Sequence, residues 1–253
     1  MDPILELAGA SKRYQGKTVL WPFDLTVARG ETVALIGPSG SGKTTVLRLA
    51  LGLLQPDGGS VRFRGVPLTA ANVQAARRQM AYVVQDGGLF PHLTAAQNVA
   101  LMARYLGWTD TRIAARRAEL VELTRFPLDA LDRYPGQLSG GQRQRVGIMR
   151  ALFLDPDLLL LDEPLAAIDP LVRAELQDDL SAIFTRLDKA VVVVTHDLAE
   201  AAFFARRVVL LRDGRIVQEG PLEALMRTPA DPFVTRFVEA QRRLAPADPG
   251  RTP

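Results

Sequence analysis

A glycine-rich segment followed by a lysine and two threonines is the first candidate for chemistry. It reads Gly37-Pro-Ser-Gly-Ser-Gly-Lys-Thr44, fits the pattern G-x-x-x-x-G-K-[ST], follows the apolar run Thr32–Ile36 and precedes a helical pattern. Backbone N–H groups in such a loop bind phosphates at a helix N-terminus, and Lys43 adds positive charge. Thr44 would ligate Mg²⁺, and Thr45 would reach another phosphate oxygen. The predicted phosphate-binding residues are Gly37, Pro38, Ser39, Gly40, Ser41, Gly42, Lys43, Thr44 and Thr45.

The alternative for this segment is a purely structural turn between a strand and a helix. Such turns are often rich in glycine, but they do not need a lysine and a hydroxyl at fixed positions. The match at every fixed position of the pattern, in the right local context, favours the phosphate-binding loop, or P-loop.

Two adjacent carboxylates follow the run of four leucines Leu158–Leu161. Ligands of open α/β sheets bind at the carboxyl ends of the strands. Asp162 therefore fits the strand-end aspartate that holds Mg²⁺ in P-loop enzymes, and Glu163 would orient or deprotonate an attacking water. Strands often end in acidic residues, so this pair alone is weak evidence for a metal site. The presence of a P-loop in the same chain favours the functional interpretation.

A second glycine-rich segment, Leu138-Ser-Gly-Gly-Gln142, precedes the helical pattern Arg143–Leu154. Ser139 can cap that helix, and the two glycines expose backbone N–H groups that would bind an anion. An ordinary capped helix with a glycine-rich entry explains the same residues. Both interpretations stay open when this segment is considered alone.

The elements that must position these residues are apolar runs of strand length. Such runs, bounded by polar residues, are typical of strands that are covered on both faces in a parallel sheet. Helical patterns lie between them, and the longest has Asp169 as its N-cap and Pro170 at its first position. Alternation of strands and helices predicts a doubly wound α/β core. The predicted core elements are strands Thr32–Ile36, Leu158–Leu161, Ala190–Thr195 and Val208–Leu211, with helices Lys43–Leu54 and Pro170–Leu187.

Two regions differ from this core. The short segments Ile4–Leu7, Thr18–Val27 and Ser60–Arg64 resemble antiparallel strands, and residues of about 86–155 have helical patterns with few strand signals. We expect a helical subdomain inserted in the core and one domain over residues 1–244. Asp231 and Pro232 would start a last helix, and residues 245–253 would form a flexible tail.

Composition limits the chemistry further. The 253 residues include no cysteine and two histidines, His92 and His196, which excludes thiolate sites and disfavours a multi-histidine metal site. A net charge of +3 is too small to indicate nucleic acid. The apolar runs fall short of the roughly 18 residues of a membrane span, and no secretory signal is evident. We therefore expect a soluble, cytoplasmic protein.

Five motifs, in order along nearly the whole chain, resemble those of the ABC-type ATPases. The segment Leu138–Gln142 resembles the family's signature, and Tyr14 resembles the aromatic residue that stacks on adenine. Gln85 is similar to the Q-loop glutamine that senses Mg²⁺. Asp169 matches the D-loop aspartate, and His196 matches the switch histidine that contacts the γ-phosphate. The alternatives for single residues are an edge-strand aromatic for Tyr14, a surface turn residue for Gln85 and a helix cap for His196.

The D-loop departs from the usual family sequence Ser-Ala-Leu-Asp. Here it reads Ala166-Ala-Ile-Asp169. Ala167 and Ile168 are conservative in size, whereas Ala166 lacks the usual hydroxyl. Any hydrogen bond that this hydroxyl donates across a subunit interface is therefore missing.

The resemblance implies that two such domains sandwich two ATP molecules head to tail. Hydrolysis would remove the charge that bridges them, and the dimer would loosen. The implied catalytic residues are Glu163, His196 and Lys43. The implied contacts with the partner's ATP are Ser139, Gly140, Gly141 and Gln142. The implied cofactors are ATP and Mg²⁺, with Mg²⁺ held by Thr44, Gln85 and Asp162.

The segment Gln85–Thr94 resembles the stretch of importers that receives a coupling helix from a membrane subunit. Leu89, Phe90 and Pro91 would form the socket. The alternative is ordinary packing of Phe90 into the helical subdomain. In either case His92 is interpreted as structural.

Three further segments are most similar to the glycine betaine/choline branch of importers: Tyr82–Gln85, Gly88–His92 and Arg133–Gly141. The implied function is an ATP-hydrolysing motor subunit that drives uptake of quaternary amines. Its implied partners are a second nucleotide-binding subunit, transmembrane permease subunits and an extracytoplasmic substrate-binding protein, with no nucleic acid. It would lie peripherally at the cytoplasmic face of the plasma membrane.

Other functions remain open at this point. The motor of an amino-acid, polyamine, sulfonate or lipid transporter would need similar residues, as would a soluble ABC ATPase such as an Fe–S assembly factor. A non-catalytic scaffold is disfavoured because Asp162 and Glu163 are both present. Larger members of the branch carry a C-terminal regulatory domain, which we do not expect in a chain that ends soon after Leu244.

Overall fold

Two β-sheets organise the chain. The computed structural model describes residues 3–166 and 168–244. One sheet is antiparallel and consists of β1 (Leu5–Tyr14), β2 (Lys17–Val27), β4 (Gly58–Phe63) and β5 (Val66–Pro67). The other consists of β3 (Thr32–Ile36), β6 (Met80–Val83), β7 (Leu158–Asp162), β8 (Ala190–Val194), β9 (Arg207–Arg212) and β10 (Arg215–Gly220). Its order is β10-β9-β3-β8-β7-β6, and every neighbouring pair is parallel except β9 and β10, which are antiparallel.

The parallel sheet forms where the sequence has its apolar runs. Leu158–Leu161 and Ala190–Val194 are buried along their whole length, as expected for central strands with both faces covered. β7 and β8 pair in register, so that Asp162 lies beside Val194. The carboxyl ends of the parallel strands therefore meet at one edge of the sheet.

The helices cover both sheets. They are α1 (Lys43–Ala50), α2 (Val73–Arg77), α3 (Ala95–Tyr105), α4 (Asp110–Leu123), α5 (Gly140–Leu152), α6 (Pro170–Leu187), α7 (Leu198–Phe204), α8 (Leu222–Arg227) and α9 (Pro232–Leu244). Short 3₁₀ turns lie at Gln85–Gly88, Leu128–Ala130 and Pro135–Gln137. Helices α3, α4 and α5 follow β6 in the chain and share a core in which Val99, Leu120 and Met149 are buried.

These elements confirm the predicted α/β class, with a parallel sheet, an N-terminal antiparallel sheet and a helical part before β7. Two predicted boundaries were wrong. The helix predicted over Lys43–Leu54 ends at Ala50, because Gly52 has a φ of 61° and the Leu53 N–H donates to the Arg48 carbonyl at 2.8 Å. The helical pattern Arg143–Leu154 belongs to a helix that begins at Gly140, directly after the predicted cap Ser139, and ends at Leu152 instead of Leu154.

The last helix begins as predicted. α9 starts at Pro232, and the Phe233 N–H donates to Asp231 Oδ1 at 2.7 Å. The single domain over residues 1–244 stays a prediction, and the expected tail at 245–253 lies outside the described residues. No helix in the described ranges is long and apolar enough to span a membrane.

Candidate functional site

The P-loop connects β3 to α1 at the carboxyl edge of the parallel sheet. Gly37 has a φ of 144°, and a Cβ at this position would lie 2.2 Å from the Leu211 carbonyl oxygen. Gly42 has a φ of 107° and immediately precedes the first residue of α1. Because side chains are excluded at Gly37 by contact and disfavoured at Gly42 by conformation, the glycines are required for this path. The loop therefore ends directly at the N-terminus of α1.

Lys43 lies inside this loop. Its side chain is buried, and Nζ donates to the carbonyl oxygens of Gly37 at 2.8 Å and Pro38 at 2.9 Å. Burial lowers the pKa of the Lys43 ammonium, while the carboxylates of Glu163 and Asp162 oppose that shift. The ammonium is therefore held by the loop itself, where it would neutralise phosphate oxygens.

The rest of the P-loop consists of three exposed residues and one buried serine that lacks a hydrogen-bond partner among the described residues. Pro38, Ser39 and Gly40 are exposed, whereas Ser41 is buried. Ser41 Oγ has no hydrogen-bond partner among the described residues. A buried hydroxyl without a partner is costly, and an anionic ligand in the loop would supply an acceptor.

Asp162 stands at the end of β7, next to the P-loop helix. Its Oδ2 accepts a hydrogen bond from the Tyr82 hydroxyl at 3.0 Å, and the Thr44 hydroxyl lies near enough to lower the pKa of the carboxyl. Burial raises the pKa of Asp162, and the Glu163 charge adds to this effect. The hydrogen bond from Tyr82 acts in the opposite direction. Asp162 is thus a partly buried carboxylate with one threonine hydroxyl at its side.

This pair of oxygen groups fits a magnesium ion. Mg²⁺ binds through one or two carboxylates, hydroxyls, waters and the phosphates of a substrate, and does not need a cage of protein ligands. The described residues contain no group of three or more His, Asp or Glu side chains that could hold a metal. Gln85, the third predicted ligand, is exposed at the start of a 3₁₀ turn after β6.

Glu163 and His196 lie together beyond the ends of β7 and β8. Glu163 Oε2 is 3.6 Å from His196 Nδ1, and the His196 side chain is 64% exposed. The Glu163 N–H donates to the Val194 carbonyl at 2.9 Å, which ties the residue after β7 to the end of β8. The strand register therefore brings together two of the three residues predicted to be catalytic.

Three residues around His196 form a network that the sequence motifs did not reveal. The Thr195 hydroxyl donates to Glu200 Oε2 at 2.8 Å, and the Asp197 N–H donates to Thr195 Oγ1 at 3.0 Å. Asp197 also caps α7, because its side chain accepts from the N–H groups of Ala199 and Glu200. The residues on both sides of His196 are thereby fixed to the first turn of α7.

The predicted signature lies at the N-terminus of α5. Ser139 Oγ accepts from the Gln142 N–H at 3.2 Å, and Gln142 Oε1 accepts from the Ser139 N–H at 3.0 Å, which is a capping box. Ser139 is exposed, Gly140 is partly exposed, and Gly141 packs so closely that a Cβ would meet Val172 Cγ1 at 2.4 Å. α5 packs mainly on α3, on the 3₁₀ turn Gln85–Gly88 and on β6, so the signature belongs to the helical part, whereas the P-loop lies between β3 and α1.

The remaining predicted residues are at the surface. Tyr14 ends β1 with 40% of its surface exposed, and Lys12 Nζ lies 5.9 Å from the centre of its ring. Asp169 is exposed immediately before α6, and its carbonyl accepts from the Arg173 N–H at 2.7 Å. Ala166 is partly exposed, while Ala167 lies outside the described residues.

The predicted socket follows the 3₁₀ turn after β6. Phe90 is 44% exposed and meets His92 edge to face, with ring centres 6.0 Å apart, while Leu89 packs on the helical core. The buried Asn98 holds the segment, because its Oδ1 accepts from the Phe90 N–H at 2.8 Å and its Nδ2 donates to the Leu93 carbonyl at 3.0 Å. The segment is rigidly attached but presents an aromatic ring to the surface.

Comparisons with known proteins identify relatives over most of the chain. The chain is 41% identical to the glycine betaine/carnitine/choline transport ATP-binding protein OpuCA of Bacillus subtilis, over 94% of this chain and 63% of that protein. It is 40% identical to the glycine betaine uptake system ATP-binding protein YehX of Escherichia coli, over 92% of this chain and 76% of that one. It is also 42% identical to the spermidine/putrescine import ATP-binding protein PotA of Haemophilus influenzae, over 93% and 63%. The chain thus spans less than two thirds of the length of some of these relatives.

Solved structures agree with the fold and with the family. A dimeric post-hydrolysis state of the ATP-binding cassette MJ0796, bound to ADP and Pi, superposes with a TM-score of 0.78 at 33% identity, over 86% of this chain and 98% of that one. CbiO1 of Clostridium perfringens, part of an ABC transporter complex, gives 0.82 at 26% identity, over 96% of both chains. The family model of ABC transporters matches residues 20–166, and the chain therefore belongs to the ABC transporter family.

Proposed function

We propose that this chain is the ATP-binding and ATP-hydrolysing motor subunit of an ABC import system. The observation that carries the proposal is the convergence, at one sheet edge, of the Lys43 ammonium, the Asp162–Thr44 oxygen pair and the Glu163–His196 pair. Phosphoryl transfer to water needs these parts: positive charge on the phosphates, oxygen ligands for Mg²⁺ and a base beside the attacking water.

Each residue has a role that follows from its chemistry. The P-loop residues 37–45 bind the phosphates, and the Ser41 hydroxyl gains an acceptor when they do. Thr44 and Asp162, with Gln85, would hold Mg²⁺, which would supply further positive charge to the phosphate oxygens. Glu163 orients the attacking water and takes its proton, while His196 contacts the γ-phosphate.

The second nucleotide contact comes from another copy or a related subunit. Ser139 is exposed and Gly140 is partly exposed at the N-terminus of α5, whereas the P-loop of the same chain lies between β3 and α1. A head-to-tail pair puts the Ser139, Gly140, Gly141 and Gln142 group of one subunit over the phosphates of the other, with Asp169 at the interface. The dimeric state of the related cassette MJ0796 supports this arrangement.

The transport partners are the permease subunits and a binding protein. The exposed Phe90, on a segment held by Asn98, supports docking of a permease helix near Gln85–Thr94. An extracytoplasmic substrate-binding protein acts through the permease. The subunit then lies peripherally at the cytoplasmic face of the membrane and binds no nucleic acid.

The transported solute is a quaternary amine of the glycine betaine/choline type. The names of the Bacillus subtilis and Escherichia coli relatives support this class. The Haemophilus influenzae relative, named for spermidine and putrescine, makes polyamine import the second candidate. Because this subunit does not contact the solute, a direct uptake measurement is required to choose between them.

The motor role is tested first on the purified chain. Wild-type protein should bind ATP and release phosphate, and Lys43→Ala should lose most of its affinity for ATP because the buried ammonium is removed. Arg186→Ala, an exposed change on α6, is the matched control. Unchanged ATP affinity in Lys43→Ala contradicts the phosphate-binding role.

The solute is tested in the assembled system. The chain is co-expressed with its permease and binding protein, and uptake of labelled choline, glycine betaine and spermidine is measured with wild type and with Lys43→Ala. We expect uptake of choline or glycine betaine by the wild type only. Uptake of spermidine alone would establish the second candidate.

A further inference from the structure

The hairpin turn between β9 and β10 touches the P-loop and the antiparallel sheet at once. Its two central residues, Asp213 and Gly214, have φ values of 49° and 74°. Left-handed φ at both positions is the feature of the tight two-residue turns that suit β-hairpins. The sequence motifs assign no role to this turn.

Both backbone groups of Gly214 are used as links. Its N–H donates to the Ser41 carbonyl of the P-loop at 3.1 Å. Its carbonyl accepts from the Trp21 N–H of β2 at 2.9 Å. One residue therefore joins the loop that would hold the phosphates to a strand of the other sheet.

The contact leaves no room for a side chain at Gly214. A Cβ there would lie 2.4 Å from the Val19 carbonyl oxygen and 3.1 Å from Leu20 Cα. A Cβ at Gly42 of the P-loop would lie 3.3 Å from the same oxygen. The turn, the P-loop and β2 are thus in van der Waals contact at a single point.

β2, which contacts the turn, pairs with β1 up to the last residue of β1. Leu20 pairs with Lys12, and Lys17 pairs with Tyr14 at the hairpin between the two strands. Tyr14 is the residue that would stack on adenine, and its ring is exposed. The backbone path from the P-loop to this ring therefore runs through the turn and through β2 between Trp21 and Lys17.

We propose that Gly214 is a positioning residue for nucleotide binding, because its turn fixes the spacing between the P-loop and the strand pair that carries Tyr14. The inference rests on the proposed function, in which one nucleotide contacts both. A side chain at Gly214 would push β2 away from the P-loop, so that phosphate and base could not be bound together with full affinity.

A nearly identical turn supplies the control. Arg64 and Gly65 connect β4 to β5 with φ values of 51° and 75°, but no atom of the described residues lies within 4 Å of a Cβ built at Gly65. Alanine at Gly65 or at Gly214 therefore carries the same backbone strain. A steric clash with β2 is added at Gly214 and not at Gly65.

The experiment measures affinity for ATP and for inorganic tripolyphosphate in Gly214→Ala, Gly65→Ala and wild type, together with thermal unfolding. Tripolyphosphate tests the P-loop alone, and the ratio of the two affinities tests the added contact with the base. We expect this ratio to fall roughly fivefold or more in Gly214→Ala, since a displacement of about 1 Å at a site has effects of at least this size. Gly65→Ala should keep the wild-type ratio even if its unfolding temperature falls as far.

A Tyr14→Ala background gives the second readout. Without the ring, Gly214→Ala should lower the ratio no further, because the two changes remove the same contact. A ratio in Gly214→Ala that equals that of Gly65→Ala, or an additional loss in the Tyr14→Ala background, overturns the inference and leaves the proposed function intact. A wild type that binds neither compound overturns both.

If Gly214→Ala does not fold, Arg215→Ala replaces it. The Arg215 guanidinium lies 3.9 Å from the centre of the Trp21 ring and joins the hairpin to β2 without any backbone strain. The ratio of ATP affinity to tripolyphosphate affinity should fall in the same direction but less, by about twofold or more, because this contact is weaker. An unchanged ratio in a folded Arg215→Ala protein contradicts the inference.

Discussion

Glu163 has a backbone conformation that side chains rarely adopt. Its φ is 49°, and its N–H is held by the Val194 carbonyl at 2.9 Å. Such a conformation costs roughly 1 kcal/mol or more and persists only where the surroundings fix it. Here it turns the carboxylate toward His196, at 3.6 Å. The strain is consistent with a residue whose position matters more than its contribution to stability.

Glu163→Gln tests the role of this carboxylate. Glutamine has nearly the same shape but cannot take a proton from water, so ATP binding should be retained while hydrolysis falls roughly a hundredfold or more. The measurement is phosphate release compared with nucleotide affinity. Glu175→Gln, an exposed change on α6, should affect neither. Near-normal turnover in Glu163→Gln would exclude this residue as the base.

The sequence alone predicted the candidate site residues that belong to a short local pattern. The P-loop, Asp162 with Glu163, and His196 each belong to a short pattern at the end of a strand. Tyr82 and Glu200 do not, because their partners are distant in the chain or separated by a helical turn. Only the parallel register of β6 and β7 brings the Tyr82 hydroxyl to Asp162.

The elements show the same division between local and tertiary information. The apolar runs predicted the central strands, because a continuous apolar segment of strand length, bounded by polar residues, is typical of a strand that is buried on both faces. β10 was not predicted: it is the antiparallel edge strand, its residues are partly exposed, and its pattern is therefore polar. α2, α7 and α8 have only five to seven residues, which is too short for a helical period to be recognised.

Among the elements, α7 holds the segment that carries His196. Thr195 donates to the buried Glu200, one turn into the helix, and Asp197 caps the same turn. Burial raises the pKa of Glu200 to about 7, with Asp197 and Glu163 adding to the shift and Arg173 opposing it. Because the folded-state pKa lies above the unfolded one, Glu200 favours folding at low pH. That contribution is lost as the pH rises through about 7.

Glu200→Gln should remove this pH dependence. The free energy of unfolding of the wild type, relative to the variant, should fall by about 1 to 3 kcal/mol between roughly pH 5 and pH 8. Urea unfolding at both pH values measures it. Glu122→Gln, an exposed change on α4, should leave the wild-type pH profile unchanged. A Glu200→Gln profile parallel to that of the wild type would contradict the assignment of the shift to this carboxyl.

At the scale of the whole molecule, the proposed function leaves the nucleotide site open on one side. The P-loop, Glu163 and His196 would cover one face of a bound ATP, whereas Ser139 lies at the N-terminus of a helix in the helical part. That N-terminus has N–H groups and a hydroxyl at the surface, which is a favourable place for a phosphate. Among the described residues, the Ser139 hydroxyl and the Gln142 N–H are paired with each other in the capping box. Under the proposed function, the second phosphate contact would therefore come from a partner.

Ser139→Arg tests whether the pair forms in this way. A long side chain at the helix terminus should block the approach of a second subunit, so that ATP still binds to the monomer but no longer drives dimerisation. Light scattering after gel filtration with ATP, in the Glu163→Gln background to prevent hydrolysis, measures the mass. Thr111→Arg, an exposed change in the first turn of α4, is the control for added charge. Ser139→Ala removes the cap, at a cost of about 1 kcal/mol, without added bulk and separates loss of the cap from steric exclusion. Full hydrolysis by a monomeric Ser139→Arg protein would refute the shared site, because one chain would then supply every group that the reaction needs.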